Sequence, residues 1–251
     1  MEFKIYIQAA NGFPIADWAV SAYIGFKQKG ANVILFSQIE EVPLSRANIV
    51  VAFIQDTNKY IERLGGKPIK ALNIPPELMP YTGREIRYMT KEQFMNDRVL
   101  PIFVKPNGLA KEYSDVLTPG VLTKESSRTM FFNDVPDHCP LLVSEVVDFV
   151  SEYRGYVIDG QLKGIKHYQG DFRVFPDMKV IDQAIADYHT QPVGYAIDFG
   201  VTSDGRTLIV ECNAGSSLGN YGLDDKTYSL LLAKYWIWMM KQIPFNEPSI
   251  D

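Results

Sequence analysis

The stretch Gly194–Ser217, "GYAIDFGVTSDGRTLIVECNAGSS", sets Asp198 and Glu211 into otherwise apolar, strand-like runs. Burying a carboxylate is costly unless it is paired or bound to a metal. Asp204-Gly205 between β-rich runs is a strong hairpin signal, a two-residue type I′ loop. Such a loop pairs Ser203 with Arg206 and, counting back along both strands, Asp198 with Glu211. Side chains alternate along a strand, so Glu211 and Asn213 share a face while Val210 and Cys212 point away. Two carboxylates and an amide oxygen then converge on one patch. Like charges directly opposite each other destabilise a sheet, so a cation is expected between them. Oxygen-only ligands of this kind suit Mg²⁺, or Mn²⁺, which usually also binds substrate phosphates. An exposed edge hairpin would carry the same acids without a metal, but the apolar neighbours on both sides favour the metal.

A second Asp-Gly, Asp159-Gly160 in "YRGYVIDGQLKGIKHY", repeats the hairpin logic. A two-residue loop there pairs Arg154 with Ile165, Glu152 with His167 and Tyr156 with Lys163. Glu152, Arg154, Tyr156, Lys163 and His167 then share one face, with Tyr153 and Lys166 on the other. A single bulge would exchange part of the two sets. A solvated charged face and a working face both fit this pattern. Lys105 in "IFVKPNG" ends an apolar strand just before a turn; it either snorkels out of the sheet or reaches a phosphate. Arg173 in "GDFRVF" is an anion clamp or the structural partner of Asp171 or Asp177.

The elements that must position these residues change character along the chain. "FKIYIQ", "NVILF" and "NIVVAFI" read as strands. The helical "ADWAVSAYIGFKQKG", which Gly30 ends, separates the first two, and "DTNKYIERLGG" follows the third, with Asp56 as N-cap. That order predicts a small parallel α/β unit over residues 1–78. The three prolines of "NIPPELMP" mark a boundary near residues 73–80. Residues 79–251 read as α+β, with strands at "LPIFVKP" and "CPLLVSEVVDF" and the two hairpins. A helix at "PDMKVIDQAIADYH" has Pro176 in its first turn, and a closing helix spans Asp224–Gln242.

Composition narrows the function classes. The 251 residues are 46% hydrophobic and 22% charged, as in globular proteins. A net charge of −5 argues against a nucleic-acid binder driven by bulk electrostatics. The two cysteines, Cys139 and Cys212, make neither a disulfide framework nor a zinc site. No signal peptide or membrane span is evident, so a cytoplasmic protein is expected.

In order and spacing, the pieces from about residue 98 to 245 resemble the ATP-grasp superfamily. The resemblance implies a small N-terminal α/β unit followed by a two-subdomain ATP-grasp fold. "VKP" resembles the family lysine on the nucleotide phosphates, here Lys105. "SEVVDF" looks like the hinge between the subdomains, where Glu145 and the backbone near Val147 would read adenine. Glu152 falls where the family places a carboxylate on the ribose hydroxyls. Asp198 and Glu211-x-Asn213 match its Mg²⁺ pattern, and Arg154 and Arg173 resemble arginines near the acyl-phosphate site. For the hairpin cation of related branches, the chain offers Lys163, Lys166 and His167. Asn107–Ser127 should hold the phosphate-covering loop, although its glycines are sparse. The resemblance implies ATP and Mg²⁺ as cofactors, a small-molecule or peptide carboxylate donor and an amine acceptor. The implied activity is formation of an amide- or peptide-type bond through an acyl phosphate. Phosphorylation of a small hydroxyl substrate and a non-catalytic ATP-binding module are the competing readings.

Overall fold

The computed structural model describes residues 3–96, 99–108, 120–123 and 135–243. Strand β1 (Lys4–Ala10) turns into the short β2 (Phe13–Pro14), and helix α1 (Asp17–Gln28) crosses to β3 (Asn32–Phe36). Strand β4 (Asn48–Val51) follows, then α2 (Ile54–Arg63). β1 is central and runs parallel to both β3 and β4, so the first third is the parallel α/β unit that the sequence implies. Asp56 is not the N-cap of α2. The helix begins two residues earlier, and the Asp56 carboxylate accepts a 2.6 Å bond from the Gln8 side chain at the end of β1.

Two antiparallel sheets follow. The first is ordered β5 (Ile86–Thr90), β8 (Pro140–Ser144), β6 (Ile102–Pro106), β7 (Gly120–Leu122), with helix α3 (Lys91–Asn96) after β5. The second is ordered β10 (Gln161–Gly170), β9 (Phe149–Ile158), β11 (Gly194–Thr202), β12 (Thr207–Ala214). Helix α4 (Met178–Asp187) covers one face of this sheet, burying Ile181, Ala184 and Ile185 against Val157, Tyr195 and Ile197. Its N-cap is Asp177, which accepts from the Lys179 N–H at 2.8 Å, so Pro176 lies just outside the helix rather than in its first turn. The other face of the sheet is left for the charged residues.

The last helix, α5 (Asp225–Met240), returns to the N-terminal unit. Leu231, Leu232, Tyr235, Trp236, Met239 and Met240 join one core with Ile5 and Ile7 of β1, Ala22 of α1 and Tyr156 of β9. α5 is apolar on all sides, as expected of a helix packed between layers. Gly25 allows the approach of α1, because a Cβ there would lie 1.9 Å from the Asp225 carbonyl oxygen. The hydrophobic core therefore crosses the boundary drawn near residue 78.

Both hairpin registers differ in detail from the two-residue-loop expectation. At Asp204-Gly205 the loop has three residues, because Thr202 N–H bonds the Arg206 carbonyl at 3.0 Å and only Gly205, with φ +83°, is left-handed. That shifts the register by one residue. A bulge between Asp198 and Phe199 shifts it back, so Asp198 faces Glu211 after all. At Asp159-Gly160 the two-residue loop is real, with both φ values positive and Ile158 paired with Gln161. Two bulges in β10 then move Arg154 opposite Lys166, not Ile165, and Tyr153 opposite His167, whereas Glu152 meets Gln169. Bulges of this kind redirect side chains and are over-represented near active sites.

Candidate active site

Lys166, Arg154, Asp198 and Glu211 lie opposite one another across β10, β9, β11 and β12, a single row of two cations and two anions. Asp198 is 2% exposed, and the Arg154 fork closes on both its oxygens, Nε at 2.7 Å and Nη2 at 2.6 Å. Burial pushes the Asp198 carboxyl up, to about 6, against the pull of Arg154. Burial alone would lower the Arg154 guanidinium, but the Asp198 pair outweighs it and holds the group charged. Among the described residues, Nη1 of Arg154 has no hydrogen-bond partner.

At the other end of the row, Lys105 reaches across from β6 and bonds Glu211 Oε2 at 2.6 Å. Burial would raise Glu211, yet Lys105 and Asn213 hold it below its ordinary value. Asn213 Nδ2 donates to both carboxylates, to Asp198 at 3.2 Å and to Glu211 at 3.0 Å. The cation expected between like charges is thus present twice, as Arg154 and Lys105. Asp198, Glu211 and Asn213 offer oxygen donors only, which fits Mg²⁺ or Mn²⁺. Among the described residues no three acidic, His or Cys side chains converge as a metal site. A metal on Asp198, Glu211 and Asn213 fits the usual Mg²⁺ arrangement, in which one or two carboxylates are completed by phosphates and water.

Between the two antiparallel sheets lies a cavity of about 310 Å³. Phe103, Leu142, Val146 and Phe149 give it apolar walls, and Lys105, Glu145, Val147, Glu152 and Glu211 line it as well. A mostly apolar cleft with a few convergent polar groups is the usual form of a small-molecule site. Residues 145–148 form the connection from β8 to β9, so Glu145 and Val147 sit where the sheets join. One Glu145 carboxylate oxygen accepts the Glu85 N–H at 2.9 Å.

Three of the sequence candidates stand apart from this cluster. Lys163 falls on the first β10 bulge, is exposed and bonds Gln161 at 2.6 Å. Arg173 is 76% exposed and forms a fork on Asp171, as its structural alternative had it. His167 turns to the α4 side, its ring 5.0 Å from that of Tyr153. The phosphate-covering loop expected over Asn107–Ser127 lies largely outside the described residues. Sequence reasoning missed Arg84, which lines the cavity and donates to the Ile209 and Val210 carbonyls at 2.9 Å each, tying the entry of β5 to β12. No local motif marks it. It also missed Tyr168 and Tyr221, whose rings are stacked beside Arg154.

The comparisons with known proteins agree with this architecture. A family model described as an ATP-grasp domain, the second family of its clade, matches residues 81–231. The chain belongs to this ATP-grasp family. Solved structures with the same fold include D-cycloserine synthetase DcsG, at 10% identity and a TM-score of 0.60, covering 96% of this chain and 100% of that one. The D-alanine–D-alanine ligase of Bacillus anthracis complexed with ATP matches at 13% identity and a TM-score of 0.57, covering 96% and 98%. The ATP-grasp ligase PsnB complexed with a minimal precursor matches at 14% and 0.55, covering 93% and 100%. These likenesses show the fold. No curated protein matches the chain by sequence. Among the described residues no helix is long and apolar enough to cross a membrane.

Proposed function

We propose that the protein is an ATP-dependent ligase that activates a carboxylate as an acyl phosphate and joins it to an amine, forming an amide- or peptide-type bond. The observation that carries this reading is the meeting of Lys105, Glu152 and Glu211, from three separate segments, on one apolar-walled cavity beside the Arg154–Asp198 pair. In this reading adenine lies against the apolar walls near Val147 and Glu145, and Glu152 takes the ribose hydroxyls. Lys105 leaves Glu211 for the phosphate oxygens, where a compact ammonium serves as a point charge. Asp198, Glu211 and Asn213 would hold Mg²⁺, which supplies charge neutralisation at the transferring phosphoryl group.

Arg154 uses one edge of its guanidinium on Asp198 and offers Nη1 to the substrate carboxylate or acyl phosphate. Lys166, next in the row, adds a second positive charge on the same side. Fixed cations aimed where charge develops stabilise the transition state without reorganising. Lys163 and Arg173, held on Gln161 and Asp171, take no part in this scheme as they stand. The partners are then a small-molecule or peptide carboxylate donor and an amine acceptor, and the working compartment is the cytoplasm. Release of ADP from Mg-ATP across a panel of amino acids and short peptides tests the reading. Stimulation by a carboxylate–amine pair supports it; ATP bound but released unchanged with every pair contradicts it.

A further inference from the structure

The loop after β12 carries a residue in an unfavourable backbone conformation. Tyr221 has φ +42°, a left-handed setting that a bulky side chain rarely adopts. Such strain persists only where the surroundings impose it, and here they do. Tyr156 donates to the Gly219 carbonyl at 3.0 Å, Tyr228 donates to the Leu218 carbonyl, and the Asn220 amide bonds Ser21 of α1. Gly219 is needed for the fit, because a Cβ there would lie 3.3 Å from Tyr221 Cζ and 3.6 Å from Arg154 Nη1.

The pinned loop delivers the Tyr221 ring onto that of Tyr168, with centroids 5.1 Å apart and planes 20° apart. Cζ of Arg154 is 5.0 Å from the Tyr221 centroid and 5.9 Å from that of Tyr168. The Tyr168 hydroxyl donates to Glu152 Oε2 at 2.6 Å. Tyr168 sits on the second bulge of β10, which is what turns it to this face. The contacts of Tyr221 with its neighbours here are made by its ring, not its hydroxyl.

We propose that Tyr221 and Tyr168 are positioning residues for the ligase step: their stacked rings hold the Arg154 guanidinium flat on Asp198 with Nη1 free for the substrate, and the Tyr168 hydroxyl ties this arrangement to Glu152 in the nucleotide cavity. This rests on the ligase reading above. Tyr221 acts on the phosphoryl-accepting side alone, whereas Tyr168 acts on both sides. Core residues differ from these two tyrosines, because their loss would weaken every step together.

The test compares Y221F, Y221A and Y168F by three readouts: Mg-ATP dissociation constant, kcat for ADP release, and the exchange rate of the Arg154 Nε–H proton by NMR without ligand. Y221F keeps the ring and should match the wild type in all three. Y221A should lower kcat about tenfold, the scale of one desolvated cation–π contact, leave the Mg-ATP constant within about twofold and speed Nε–H exchange. Y168F should weaken Mg-ATP several-fold and change exchange little. Equal effects of Y221F and Y221A, or parallel losses of ATP affinity and kcat in Y221A, would overturn the proposal. The exchange readout needs no turnover. Slow Nε–H exchange in the wild type that Y221A accelerates, with no ADP release from any substrate pair, would uphold the positioning role of the rings and reject the ligase reading instead.

Discussion

Replacing Arg154 by Met offers the sharpest structural test of the charged row. The substitution removes a guanidinium that is nearly as buried as its partner, their side chains being 9% and 2% exposed. Both bonds to Asp198 and the contacts with the Tyr168 and Tyr221 rings disappear together. Breaking a buried ion pair by deleting one partner costs about 3–5 kcal/mol, because it strands the other charge. For a chain of this size each kcal/mol shifts Tm by about 2–4 °C, so R154M should melt about 6–20 °C lower. Urea unfolding followed by circular dichroism gives the same quantity as a free energy, with an unchanged slope marking a true stability effect. Adding D198N to R154M should recover about half the loss, since an uncharged amide is far cheaper to bury than an unpaired carboxylate. A loss below about 1 kcal/mol in R154M, or a double variant less stable than the single one, would refute the reasoning.

Further outcomes follow from other contacts. A Cβ at Gly200 would lie 2.2 Å from the Phe149 ring, which walls the cavity, so G200A should weaken Mg-ATP roughly tenfold by titration while circular dichroism stays native. R84M removes the bonds to the Ile209 and Val210 carbonyls and should cost about 1.5–3 kcal/mol in urea unfolding, with no rescue by R84K, whose ammonium cannot span both carbonyls. Residues 1–78 expressed alone should lack the dispersed NMR spectrum of a folded domain, because α5 supplies Trp236, Leu231 and Tyr235 to their core. A well-dispersed spectrum would show that the N-terminal unit needs no help.

How much of this is legible in the sequence depends on where the chain bulges. The Asp204-Gly205 turn yields the correct Asp198–Glu211 pairing, but through two offsetting differences, a loop one residue longer and a bulge one residue later. At the second hairpin the turn follows from Asp159-Gly160 and the strand register does not. Nothing in "QLKGIKHYQG" announces bulges beside Lys163 and Tyr168, and it is those that put Lys166 rather than Lys163 next to Arg154. The parallel unit, the hinge connection and the lysine at the end of β6 follow from local patterns of alternation and prolines. Arg84 and the packing of α5 do not, because their partners lie far along the chain. An arginine bonding carbonyls of β12, and a helix closing a core begun by β1, are set by tertiary packing that no local window contains.

The row of charges beside the cavity is there, on this account, to activate a carboxylate. Hydroxylamine trapping measures this most directly: the protein, Mg-ATP and each candidate carboxylate are incubated with hydroxylamine in place of an amine, and the product is identified by mass spectrometry. The account predicts a hydroxamate of one carboxylate class, formed in step with ADP and lost in D198N. A stable phosphate ester with no hydroxamate would contradict it and assign the site to phosphorylation of a hydroxyl group.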